Sequence, residues 1–482
     1  MSSFAIILTI VGYLLLLLLI SYRSGRRDDN NSFFIANRAT SWYMATFAMI
    51  GAAMSGVTFI SVPGSVATDS FSYLQMVIGF TIGQFIVAFV LIPLFYRRGV
   101  VSLYQYLEQR FGITTHLTGA WCFLVAKVVA ASLKVYIVCA VMQLLLFDGI
   151  GVPFFVNVLS TMLVVWLYTR WGGVKTLIPT DSLQSLCLVA AVVISIFWLC
   201  SAMGWSLGEA YDQVAASSYS RIWFFDDPNS ARYFWKMVAG GALCLVAMTG
   251  LDQDMMQRNM SCRSVRESQV NIVLTALCQI VVIALFLVLG VLLYRYMDFA
   301  QMSLPDSGDK VFALVATQGG LPLIVGVVFI AGLISSTFSS AGSALTSLTT
   351  SFTLDIMPQR AQRDESTLRR MRERVHIVMA LIMVVTILLF EVINNDGVIN
   401  LIFRIAGYTY GPILGMYVFG MATKRRVNER FVPIISIVAP LLSYALQWTL
   451  ARYCDYHIGF ELLGYNALFV IFGLAIVSRK AK

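Results

Sequence analysis

The chain has 482 residues, 59% of them hydrophobic and only 12% charged, with a mean hydropathy of +0.79 and a formal net charge of +9. Soluble domains carry about 25% charged residues, so these values exclude a water-soluble globular protein. They also exclude nucleic acid as the partner of the basic excess, because the Lys and Arg residues lie in short loops between apolar blocks.

The apolar blocks are near the length that crosses roughly 30 Å of hydrocarbon. In chain order they cover 4–22, 42–66, 73–96, 117–146, 153–170, 177–203, 234–256, 270–294, 322–356, 376–392, 397–421, 431–451 and 461–478. The expected fold class is an all-α polytopic membrane protein with about 13 transmembrane helices, forming a single membrane domain over 1–482. The first block is too long for a signal-peptide core, and no small-residue cleavage site follows it. With the N-terminus outside, the inner loops hold 25 Lys and Arg, the outer loops six, and Lys127, Lys134 and Arg404 lie within spans. The positive-inside rule therefore places the N-terminus outside and the C-terminus in the cytoplasm. A cell membrane is implied, and within it a bacterial inner membrane.

Short amphipathic pieces punctuate the loops. SLYQYLEQRFG (102–112) reads as an interfacial helix. GEAYDQVAASS and GDKVFALVATQ, in the two longest outer loops, read equally as vestibule lids or as plain connectors. The eight cysteines form no CxxC pairs and read as packing residues. His116, His376 and His457 are too far apart to suggest a metal or catalytic cluster.

Polar residues inside the spans carry the functional signal. In the second span, Ser55-Gly56 sits mid-block, Thr58 follows, and Pro63-Gly64 lies near the outer end. Such residues weaken a helix, giving either a broken helix with free carbonyls at a binding site or a small-residue packing face. The fourth span carries Lys127 and Lys134 on one face, each in need of an anionic partner. In the sixth span, PTDSLQ buries Asp181 beside Thr180, Ser182 and Gln184. A carboxylate there is a cation ligand, a proton carrier or an interfacial cap after Pro179. The seventh block ends in GLDQDMMQRN, where Asp252, Gln253 and Gln257 read as gating or capping groups at the inner mouth. In the ninth span, ISSTFSSAGSALTSLTT (334–350) sets Ser336, Ser339, Ser340 and Ser343 on one helical face. Arg404 precedes Pro412 in the eleventh span and suits a carboxylate ligand. Pairing with Glu391 or Asp396 is its other reading.

These stretches, with AGYTYGPILG (406–415) and GGVKTLIPTDSLQ (172–184), together resemble the sodium:solute symporter family along nearly the whole chain. The resemblance extends to its sodium/sialic acid and other sodium/anion branches. It implies a LeuT-like core of two inverted five-helix repeats, 42–203 and 234–421, with 4–22 and 431–478 peripheral. It implies a sodium site from the carbonyls of Gly51, Met54 and Ser336 and the hydroxyls of Ser339 and Ser340. A second sodium site would use Asp181, Ser339 and Ser343, but Gly342 stands where sialic acid carriers have a serine. Ser55, Thr58, Lys134 and Arg404 would hold the solute.

The expected function is a sodium-driven symporter of a small organic anion, such as a sialic acid or monocarboxylate, working by alternating access. It needs no cofactor beyond Na+ as coupling ion. A sodium/sugar symporter and a proton-coupled symporter using Asp181 remain alternatives. A membrane enzyme or solute sensor ranks last, since the spans show no catalytic constellation and the chain ends a few residues past the last span. The sequence leaves the oligomeric state open.

Overall fold

Helix occupies each apolar block read from the sequence. A computed structural model describes residues 3–24, 30–170, 173–357, 365–393 and 398–479. Its principal helices are α1 (Ser3–Ser24), α2 (Trp42–Ala53), α3 (Gly56–Gly64), α4 (Tyr73–Arg98), α5 (Ile113–Ile150), α6 (Phe154–Thr169), α7 (Val174–Ala202), α8 (Phe234–Gly250), α9 (Gln253–Met260), α10 (Val265–Phe299), α11 (Leu323–Ile356), α12 (Glu365–Ile393), α13 (Val398–Ala422), α14 (Val432–Tyr453) and α15 (Leu462–Ile476). Among the described residues, eight helices are long and apolar enough to cross a membrane, or up to ten if each of two bent pairs is one span. Among the described residues, sheet is confined to Arg426–Val427 paired antiparallel with Ser478–Arg479.

Both bent pairs break where the local sequence cannot carry a helix. Between α2 and α3 the axis turns by 54°. Met54 (φ −102°, ψ 87°) and Ser55 (φ −76°, ψ 171°) leave helical geometry there. Ser and Gly at this point favour non-helical backbone. The break orphans the last carbonyls of α2 and the first N–H groups of α3. Between α8 and α9 the turn is 65°. Asp252 supplies the cap of α9, its carboxylate accepting from the N–H of Asp254 (2.8 Å) and Met255 (3.3 Å). Capping was expected of Asp252; the second break was not.

Helix α7 packs against both α2 and α11. The contact with α2 is close because Gly51 has no side chain. A Cβ there would lie 2.6 Å from the Asp181 carbonyl and 2.7 Å from Ser185 Oγ. At the far end of α3, Tyr294 donates from its hydroxyl to the Gly64 carbonyl (2.7 Å), and Gly64 abuts Gly308 backbone to backbone. The expected interfacial helix is present as Gln105–Arg110, and the two outer-loop pieces left open between lid and connector hold the short helices Leu207–Ala215 and Val311–Gln318. All eight cysteines are free thiols. The histidines do not cluster. His116 lies between Glu108 (2.8 Å) and Asp355 (3.0 Å), and His376 between the hydroxyls of Thr169 and Thr349 (each 2.9 Å).

Candidate functional site

The two breaks face one cavity enclosing about 1010 Å³ of empty space, part of it open to solvent. Its walls include Ser55 and Thr58 from the first broken pair, Lys127 and Lys134 from α5, Asp252 from the second break, and Tyr410 from α13. Ser55 makes no side-chain cap bond to α3, so the first N–H groups of that helix remain open to a ligand, and the helix dipole favours an anion there.

The two lysines have separated roles. Lys127 is bound by carboxylates, its ammonium donating to both oxygens of Asp252 (3.1 and 3.0 Å) and lying 2.8 Å from Asp254 Oδ2. Lys134 lies seven residues on, on the cavity wall, and no acid among the described residues is within ion-pair distance of it. Arg404 is placed elsewhere. It is exposed and lines a second cavity with Asp69, Arg232 and Asp309, apart from Ser55, Thr58 and Lys134. The structure therefore does not bring Arg404 to the other solute candidates, because α13 carries it a helical turn and more beyond Tyr410. Of its two suggested acid partners, Asp396 lies outside the described residues.

Behind the first break, α11 presents the hydroxyl face. The Gly51 carbonyl accepts from Gln184 Nε2 (2.9 Å), as does the Met54 carbonyl (3.4 Å). Each carbonyl keeps a second lone pair. Ser336 points its hydroxyl back to the Leu333 carbonyl (2.8 Å), and its Oγ lies 2.9 Å from where a Gly56 Cβ would stand. Ser339 donates to Asp181 Oδ1. Ser340 Oγ is buried without a hydrogen-bond partner. An orphaned buried hydroxyl is costly unless something is bound there.

Asp181 is fully buried and already engaged. Besides Ser339, it accepts from Arg258 Nε (2.9 Å) at Oδ2. The place of the serine missing at Gly342 is filled, since a Cβ there would run into the hydroxyl of Tyr168, which donates to the Phe338 carbonyl. Ser343 bonds the Ser340 carbonyl (3.2 Å). Asp181 and Ser339 are thus brought together, with Ser343 one helical turn further along α11, and Arg258 holds the charge a second cation would use.

Sequence reasoning missed Arg258 and Asp254. Arg258 reads as one more inner-loop cation, yet it is only 1% exposed and bridges Asp254 and Asp181. A signal was available: a carboxylate buried in the sixth span requires a buried cation. Asp254 and Arg258, at i and i+4 in the short polar stretch at the end of the seventh block, are suited to supply it.

Two broken helices face one cavity beside a column of hydroxyls, an arrangement that places free backbone groups at a candidate binding site. The family model described as the sodium:solute symporter family matches residues 33–430, and the chain belongs to that family. It is 27% identical over 386 residues to the sodium/iodide cotransporter of Homo sapiens, covering 76% of this chain and 57% of that one. It is 24% identical over 408 residues to a sodium/sialic acid symporter of Proteus mirabilis, covering 80% and 79%. A solved substrate-bound, outward-open Na+-coupled sialic acid symporter superposes with a TM-score of 0.82 over 99% of each chain at 20% identity; that likeness shows the fold. The chain spans about three fifths of the length of the first curated relatives it matches.

Proposed function

We propose that this chain is a sodium-driven symporter importing a small organic anion by alternating access. The observation that carries the reading is Ser340 Oγ, buried and unpartnered on α11 beside the broken pair. Gly51, Met54 and Ser336 would add carbonyls to it, and Ser339 a hydroxyl. Oxygens of this kind suit a small hard cation. Ser339 donates its proton to Asp181, which leaves its lone pairs for the ion. One sodium is proposed at this set, with Asp181 backing Ser339 from behind.

The anion is argued from the cavity. Lys134 needs a counter-charge, and the open N-terminus of α3 with Ser55 and Thr58 offers hydrogen-bond donors beside it. A sialic acid or monocarboxylate fits that chemistry, in keeping with relatives described as carriers of sialic acid, monocarboxylates and iodide. An aldose offers no charge to Lys134, which ranks a sugar below an acid. We further propose thirteen crossings of a bacterial inner membrane, with the N-terminus outside. The inverted repeats would run over 42–203 and 234–421, so that the breaks at 54–55 and 251–252 are counterparts. In support, each apolar block contains helix and each repeat has one broken pair.

Uptake into proteoliposomes tests the reading. Ser340→Ala is expected to raise the sodium concentration for half-maximal uptake by about ten-fold, the loss of one ligand worth about 1.4 kcal/mol. An unchanged sodium requirement would remove the site. A sodium Hill coefficient near one is expected, whereas a value near two would restore Asp181, Ser339 and Ser343 as a second site.

A further inference from the structure

Five charged side chains form a continuous chain from the cavity to the hydroxyl face of α11. Lys127 and Asp252 line the cavity. Lys127 is shared between Asp252 (3.0 Å) and Asp254 (2.8 Å). Arg258 is in turn shared between Asp254 and Asp181, and Asp181 accepts from Ser339. All five are buried, and three carboxylates compete for two cations. Buried charges cannot go unpaired without a large cost, so a change of partner at one end must be answered by a change at the next.

We propose that this chain is a partner-exchange relay through which an anion in the cavity tightens sodium binding at Ser339, an inference that rests on the sodium site proposed above. Lys127 sits two helical turns from Lys134 on the same face, about 10 Å along the axis, within the cavity an anionic solute would enter. An anion there attracts Lys127 and repels Asp252. As Lys127 turns to the solute, Asp254 loses one of its two cations and takes a larger share of Arg258. Arg258 loosens from Asp181, whose charge is then felt through Ser339 by the sodium ion. Reciprocity follows from linkage: sodium, by drawing on Asp181, releases Arg258 to Asp254 and frees Lys127 for the anion. Arg258 and Asp254 act as positioning residues that touch neither ligand.

Two variants separate the relay from a plain field effect, with sodium alone as the probe. Purified protein is titrated with NaCl against choline chloride at constant ionic strength, and the midpoint of thermal stabilisation is read. The double variant Lys127→Met/Asp252→Asn leaves the net charge unchanged, and Asn still caps α9. The relay requires sodium to bind more tightly in it, because Asp254 is left with Arg258 alone. The midpoint is expected to fall by about five-fold, the lower end of ordinary coupling between sites. In an Arg258→Lys background, where a single ammonium replaces the fork that spans two carboxylates, the shift is expected to vanish. No shift in the double variant overturns the relay, and so does a shift that survives Arg258→Lys. If the double variant fails to fold, Lys127→Gln is read against the same Arg258→Lys control with the same expectations. Wild-type protein showing no sodium-dependent stabilisation would instead remove the sodium site, and the relay with it.

Discussion

At the scale of single residues, the two lysines of α5 show how one residue type takes opposite roles a short distance apart. Lys127 is held by Asp252 and Asp254 and lines the cavity. Lys134 has no acid among the described residues within reach, so the proposed anion would be its counter-charge. Lys134→Met should weaken anion binding by about ten-fold or more, the lower range for a hydrogen bond to a charged group. Sodium-only stabilisation should hardly move, and Lys134→Arg should restore most of the anion affinity. Isothermal titration with and without sodium would read both effects, and equal loss of the two ligands would assign Lys134 a structural role. Arg404→Ala should leave anion affinity nearly unchanged in the same experiment, since Arg404 lines the other cavity. The lysine spacing was legible in the sequence. The acids that claim one lysine and spare the other come from α8–α9, more than a hundred residues away, so no local pattern could assign them.

At the scale of elements, the site depends on how closely α2 approaches α7. Gly51 allows that contact, and a methyl group there would press on the Asp181 carbonyl and on Ser185. Overpacking of this kind costs about 1–3 kcal/mol, and at this position it would push the Gly51 and Met54 carbonyls away from Gln184. Gly51→Ala is therefore expected to lower the sodium-free Tm by several degrees and to raise the sodium midpoint together with it. A normal Tm with normal sodium binding would show that the helices have room to part. The first break was readable because Ser55-Gly56 interrupts an apolar run. The break before α9 was not foreseen: Asp252 caps a helix that starts afresh, and in a linear reading this looks like the ordinary end of a span at the membrane surface.

At the scale of the whole molecule, stoichiometry decides how the membrane potential acts. One charge crossing 100 mV is worth about 2.3 kcal/mol. One sodium carried with one monoanion moves no net charge, so accumulation should follow the sodium gradient and ignore an imposed potassium–valinomycin potential. A strong dependence on that potential would argue for a second sodium and return Asp181 to the list of ligands. The sequence by itself determined the membrane class, the helical blocks and the hydroxyl face, and marked Ser55-Gly56 as the place for a break, because hydropathy, helix-breaking residues and helical spacing are local properties. Tertiary structure alone decided that Arg258 neutralises Asp181, that Tyr168 fills the space over Gly342, that Arg404 belongs to another cavity, and that Ser340 is left with an unmet hydroxyl. Each of these depends on which helix faces which, and in a bundle held together by close packing of apolar surfaces that choice is made by the fit of the whole set and not by any one stretch of chain.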